Sequence, residues 1–239
     1  MVHKVFNFLF DLIYKKISYT FAVVVFALSG AYFGAFYAYI FGSAVIPEFT
    51  ASNHREVFLA FVFSTLFASI GHSIQYGILS PFSVPGLERQ IQKINSNLRP
   101  DVTLRHKNTL ELESLLKYLI QLPKHNMIAS FGYAIFVFST VAITHLWSQK
   151  PFWELAFVFI GWSTAVFVYC GFSYIITDYF TGQKRVEIKV ILSKKNVRIN
   201  KEFGIVSLKG KFIFLLTLIL LSLTILSLFV SLGNVCARV

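Results

Sequence analysis

Residues 80–126 read SPFSVPGLERQIQKINSNLRPDVTLRHKNTLELESLLKYLIQLPKHN, and this polar stretch decides how the rest of the chain is read. It carries seven Lys/Arg (Arg89, Lys93, Arg99, Arg105, Lys107, Lys117 and Lys124) and two prolines at its head, Pro81 and Pro85. Hydrophobic runs flank it on both sides. Tyr19 to Ile46 and Val57 to Leu79 precede it; Met127 to Trp147, Phe152 to Ile176 and Phe212 to Leu232 follow. Runs of about 20 residues are long enough to cross a hydrocarbon core of about 30 Å at a rise of ~1.5 Å per residue. A chain of 239 residues that is 56% hydrophobic, with 27 Phe, cannot hide five such runs in a soluble core. The pattern predicts an all-α, polytopic helical membrane protein with five spanning helices.

The net charge of +11 invites a nucleic-acid reading, but its distribution argues against one. Nineteen of the 22 Lys/Arg fall at the N-terminus (Lys4, Lys15, Lys16), in the 80–126 insert, or in 179–211. The intervening loops hold only Arg55 and Lys150, and the tail only Arg238. This alternation is what the positive-inside rule predicts. It places the N-terminus and both basic segments in the cytoplasm and leaves the C-terminal end of this chain outside. The expected partners are the bilayer and its anionic headgroups, with no nucleic acid. The first run is too long for a signal-peptide core and reads as a retained anchor. Cys170 and Cys236 form neither a disulfide framework nor a metal spacing, and no cofactor is expected.

Taken in order, 1–19 is an amphipathic lead. It either lies on the inner surface or extends the first spanning helix. The first membrane hairpin covers 20–79. Gly30, Gly34 and Ala38 at four-residue steps offer a close-packing face, as do Gly161 and Ala165 farther on. The second run holds Ser69, His72, Ser73 and Gln75. His72 is the best single candidate for a polar internal site, or else a neutral histidine hydrogen-bonded to a neighbouring helix. Within the insert, Leu87, Ile91, Ile94 and Leu98 form one apolar stripe; Leu112, Leu115, Leu116, Leu119 and Leu122 form another. Two amphipathic cytoplasmic helices are expected, the second capped at Asn108 or Thr109 and ended at Pro123. Leu87, Ile91, Ile94, Leu115 and Leu119 are the expected relay or dimer contacts.

The second membrane hairpin covers 127–178, with Trp147, Phe152 and Trp153 as an aromatic belt. Asp178 at its inner end is a third polar candidate, facing Lys184 or Arg185 as an ion-pair partner. In the basic segment 179–211, Val186, Ile188, Val190 and Leu192 alternate with polar residues, so an extended piece competes with helix. The fifth helix and an external tail occupy 212–239. Spans one and three each open an outward hairpin, so either the natural protein has five spans or, as the hairpin pattern favours, this is a fragment whose sixth helix and downstream domain are missing.

Two stretches carry a family likeness. Ser207 to Leu216 (SLKGKFIFLL) resembles the basic lead into a membrane helix in bacterial sensor kinases and membrane-anchored cyclases. Leu115 to Pro123 (LLKYLIQLP) is similar to the leucine-rich approach to the third helix in six-helix membrane domains of class III adenylate/guanylate cyclases with a HAMP-type relay. The resemblance implies a dimeric sensory input domain in a bacterial inner (plasma) membrane, governing a cytoplasmic cyclase or kinase; the expected ligand is a lipid or other apolar molecule, because the outer loops are too short to build a soluble pocket. This chain has no cyclase domain with metal-binding aspartates and no kinase histidine box, so no catalytic residue is carried over. A small transporter or channel, hinted at only by His72 and Gln75, and an accessory membrane protein are the competing classes.

Overall fold

A computed structural model describes residues 2–45, 55–77, 87–149 and 152–197, together with single positions between 213 and 228; a few helical positions, Ala38 and Trp153 among them, are described by backbone alone. The described residues are almost entirely helical and contain no strand. The helices are α1 (Val2–Lys16), α2 (Tyr19–Ala27), α3 (Ser29–Val45), α4 (Arg55–Gly77), α5 (Leu87–Asn97), α6 (Thr109–Trp147) and α7 (Phe152–Lys194). Four stretches are long and apolar enough to cross a membrane: Tyr19–Phe36, Arg55–Tyr76 and the helices α6 and α7. The expected fifth span and external tail lie largely outside the described residues. The positions described there, from Ile213 to Leu228, are helical.

Three element boundaries differ from the sequence reading. The first run is two helices, broken at Leu28, where Ala31 N–H donates to Leu28 O at 2.9 Å. Ser29 and Gly30 follow the break, and a Ser/Gly pair is a common place for a helix to kink. The second difference is Pro123, which does not end a helix. It sits inside the 39 residues of α6, so the insert and the third run share one helix. Asn108 caps its start, its Oδ1 accepting from Glu111 N–H at 2.8 Å.

The third difference is in the basic segment. α7 does not stop at Asp178 but continues to Lys194, so Val186 to Leu192 are helical rather than extended. The alternation of Val186, Ile188, Val190 and Leu192 misleads because a helical stripe overrides it. Thr181, Arg185, Ile188 and Leu192 are buried at steps of four, three and four, while Val186 and Val190 are exposed. Asn196, at φ 57°, closes the helix: Val197 N–H reaches Leu192 O and Asn196 N–H reaches Ser193 O. That pair of bonds is the Schellman pattern with Asn in the left-handed position.

The chain divides into two compact units. The first comprises 1–27, 71–129 and 173–207. Its core is aliphatic: Leu87, Ile94, Leu112, Leu115, Leu116, Leu119, Leu122, Ile188 and Leu192 are almost fully buried. Gln90 Nε2 donates to Tyr118 O at 2.6 Å and joins α5 to α6. Phe10 of α1 stacks on Phe180 of α7 with ring centroids 4.3 Å apart.

The second unit comprises 28–70, 130–172 and 208–239. It is built the other way round. Phe63, Phe67, Ile143 and Phe167 point outward, and small residues meet inside. A Cβ on Gly34 would lie 2.9 Å from Ala165 O, and one on Gly30 would lie 2.8 Å from Phe172 Cβ. Without a strong hydrophobic drive between helices in lipid, such close backbone approach supplies much of the packing.

Gly34→Ala is therefore expected to lower stability by about 1–3 kcal/mol, because the backbone of α7 must move to admit a methyl. Gly132, with nothing within 4 Å of its Cβ direction, is the control. Gly132→Ala should be neutral or stabilise by up to ~1 kcal/mol through helix propensity. Unfolding in detergent micelles, followed by circular dichroism, separates the two.

Candidate functional site: a buried polar junction

In the first unit three helices meet through one side-chain amide. Asn126 of α6, fully buried, donates from Nδ2 to Ser173 Oγ at 2.9 Å and to Thr177 Oγ1 at 2.6 Å, both on α7. Its Oδ1 lies 2.8 Å from His72 Nε2 on α4. The donor roles follow from the network. With both Nδ2 hydrogens committed to hydroxyls, Oδ1 is the acceptor and His72 carries its proton on Nε2. His72 also rests edge-on against Tyr76, with ring centroids 5.2 Å apart.

Local sequence explains why these side chains converge. Ser173, Thr177 and Thr181 lie at four-residue steps on α7, one small hydroxyl per turn on one face. Thr181 Oγ1 bonds back to Thr177 O at 2.7 Å, the usual intrahelical solution for a buried threonine. His72 and Gln75 are one turn apart on α4, and both are buried. Beside the junction, Thr20 Oγ1 donates to Tyr76 O and Thr20 N–H reaches Asn95 Oδ1 at 3.1 Å, tying α2 to α4 and α5.

Asp178, the third polar candidate, is paired with Arg185 rather than Lys184. Arg185 Nη2 lies 2.5 Å from Asp178 Oδ1 and 2.9 Å from Asp178 O, two turns along the same helix. Both side chains are buried. Arg185 Nε finds no acceptor among the described residues. Lys184 instead pairs with Glu187 on the exposed side.

The other expected site residues are placed as follows. Gly34 and Ala165 come together in the second unit, Gly30 meets Phe172, and Gly161 is buried. The side chain of Ala38 lies outside the described residues. Leu87, Ile91, Ile94, Leu115 and Leu119 are all buried within a single chain.

Sequence reasoning singled out His72 but missed Asn126, Ser173 and Thr177. The available signal was a lone Asn entering a hydrophobic run, opposite a Ser/Thr stripe in the next helix.

A small apolar cavity of about 60 Å³ lies in the second unit among Gly34, Ala35, Ala68, Tyr133, Trp162 and Ala165. It is far smaller than the ~300–1,000 Å³ pockets that enclose drug-sized ligands. Among the described residues no three His, Cys, Asp or Glu side chains gather where a metal ion could bind. Chemically, the polar junction holds helices in register, and its amide hydrogens and carbonyl are all committed. No family model, curated protein or solved structure matches the chain.

Asn126→Ala is expected to lower the unfolding free energy by several kcal/mol, because it strands the His72 N–H and removes the donor of two hydroxyls, at about 1–3 kcal/mol per stranded group. Ser173→Ala strands a single Asn126 hydrogen and should cost about 1–3 kcal/mol, less than Asn126→Ala. Thermal unfolding of the solubilised protein ranks the two.

For the ion pair, Asp178→Ala should cost about 3–5 kcal/mol by leaving a buried guanidinium uncompensated, while Asp178→Leu combined with Arg185→Met recovers most of the loss. A double-mutant cycle measures both.

Proposed function

We propose that the chain is the membrane-embedded input part of a signalling protein, of the type that governs a nucleotide cyclase on the cytoplasmic side. The His72–Asn126–Ser173–Thr177 junction carries the reading. α6 reaches Asn126 after 17 residues, and α7 runs 17 residues beyond Thr177, about five turns each. A displacement of either helix must break or exchange hydrogen bonds at the junction. Such a contact favours discrete alternative packings over continuous drift, which is what a signalling relay requires.

Further support comes from the likeness of 115–123 and 207–216 to cyclase and sensor-kinase membrane domains. The basic residues of 80–126 and 179–211 put the first unit on the cytoplasmic side by the positive-inside rule. In this reading the chain has five spans and works as a homodimer. Its amphipathic α5 and the leading half of α6 serve as the HAMP-like pair, and a lipid or apolar molecule biases the packing of the second unit. A transport path is less well supported, because the buried polar groups of the junction bond one another.

The test joins the chain to the catalytic domain of a membrane cyclase in a cyclase-deficient bacterium. Asn126→Ala and His72→Ala are expected to change cyclic-nucleotide output by about fivefold or more at equal membrane insertion. Output unmoved by either substitution rejects the relay. Solute flux through proteoliposomes that His72→Ala abolishes would place the chain among transporters instead.

A further inference from the structure

α1 presents two different faces. Inward, Phe10 stacks on Phe180 and meets Tyr19 edge-on at 5.7 Å, and Tyr19 Oη donates to Phe180 O at 3.0 Å. Outward, Phe8, Leu9 and Leu12 stand exposed, Phe8 at 66%, with exposed Lys15 and Lys16 at the helix end. Residues 8, 9 and 12 share one side of a helix; Lys15 falls at one border of that side with exposed Asp11 beyond it, and Lys16 lies beside Leu9 near the other.

We infer that this outward face of α1 lies on an anionic phospholipid surface, and that its docking is passed to α7 through the Phe10–Phe180 stack. Chain continuity points to lipid as the occupant. Only Ile17 and Ser18 separate α1 from α2, which opens a candidate membrane span. The end of α1 is thus held near the headgroups of any bilayer that this span crosses. Charge points the same way. Lys15 borders a cavity of about 560 Å³ that also presents Ser18 and Ser96, and the other two charges lining it, Arg99 and Asp101, pair with each other. An anionic surface attracts Lys15 and Lys16, whereas a second copy of α1 packed parallel would oppose lysine to lysine.

Transmission has a short route. Phe180 lies one turn beyond Thr177, which accepts from Asn126. The surface assignment stands without the cyclase reading. Only the significance of the transmission rests on that reading, and the cyclase fusion tests it separately.

The experiment uses the full chain in nanodiscs, with Cys170→Ala and Cys236→Ala removing the native thiols and Leu12→Cys carrying an environment-sensitive fluorophore. In phosphatidylglycerol-containing discs, emission should shift to the blue and be quenched by spin-labelled lipid. In phosphatidylcholine discs the shift should be smaller. Lys15→Gln with Lys16→Gln should lower the docked-to-free ratio about twenty-fivefold, about fivefold for each cation.

Solvent-like emission in both lipids overturns the surface assignment. So does blue emission that lipid cannot quench, which would mark a second copy as the cover. For transmission, hydrogen exchange across 173–181 should slow in phosphatidylglycerol discs and lose that lipid dependence in Phe10→Ala. Exchange that ignores lipid while α1 docks overturns the coupling to α7.

Discussion

A side-chain amide sealed from water must find its donors and acceptor partners within the protein. Asn126 does so with His72, Ser173 and Thr177, and this requirement fixes α4, α6 and α7 against one another. A shift of one residue along any of these helices moves its side chain by ~1.5 Å and ~100°, and the bonds are lost. An unsatisfied buried group costs about 1–3 kcal/mol, so wrong registers carry a penalty in addition to the loss of apolar packing. Gln90 does the same on a smaller scale, with Nε2 on Tyr118 O and Oε1 facing His125 Nδ1.

The two units solve opposite problems. In the second, large side chains such as Phe67 and Phe167 turn outward, as an apolar surrounding would favour, and Gly34 lets α3 meet the α7 backbone. In the first, leucines at helical spacing turn inward, while Glu88, Arg89, Gln92 and Lys93 of α5 stay exposed. Helix alone serves both environments, because it satisfies backbone groups internally whether lipid or water lies outside.

This difference also explains what could be read from sequence. Long apolar runs, charge alternation and the leucine stripes of 87–98 and 112–122 are local signals, and the helical architecture follows from them. Helix continuity is not local. Pro123 looks like a stop because it lacks an N–H to give Leu119 O, but burial on both sides keeps α6 in one piece. The alternation from Val186 to Leu192 suggests a strand until Thr181 and Arg185 are seen to extend the same buried helical stripe. Asn126 was the hardest to recognise. It ends a polar segment, as any solvated residue might, and only the folded chain shows which hydroxyls face it.

Seen along α7, the contacts of the first unit converge on three turns. Ser173 and Thr177 take the α6 amide; Phe180 takes the aromatic face of α1 and the hydroxyl of Tyr19; Asp178 and Arg185 close a buried ion pair on the same helix. A buried pair seldom adds net stability over a well-packed apolar substitute, because desolvation offsets the attraction. What it adds is placement. The guanidinium can bond Asp178 Oδ1 and Asp178 O together only if α7 stays helical from 178 to 185, so the pair ties that stretch into one rod.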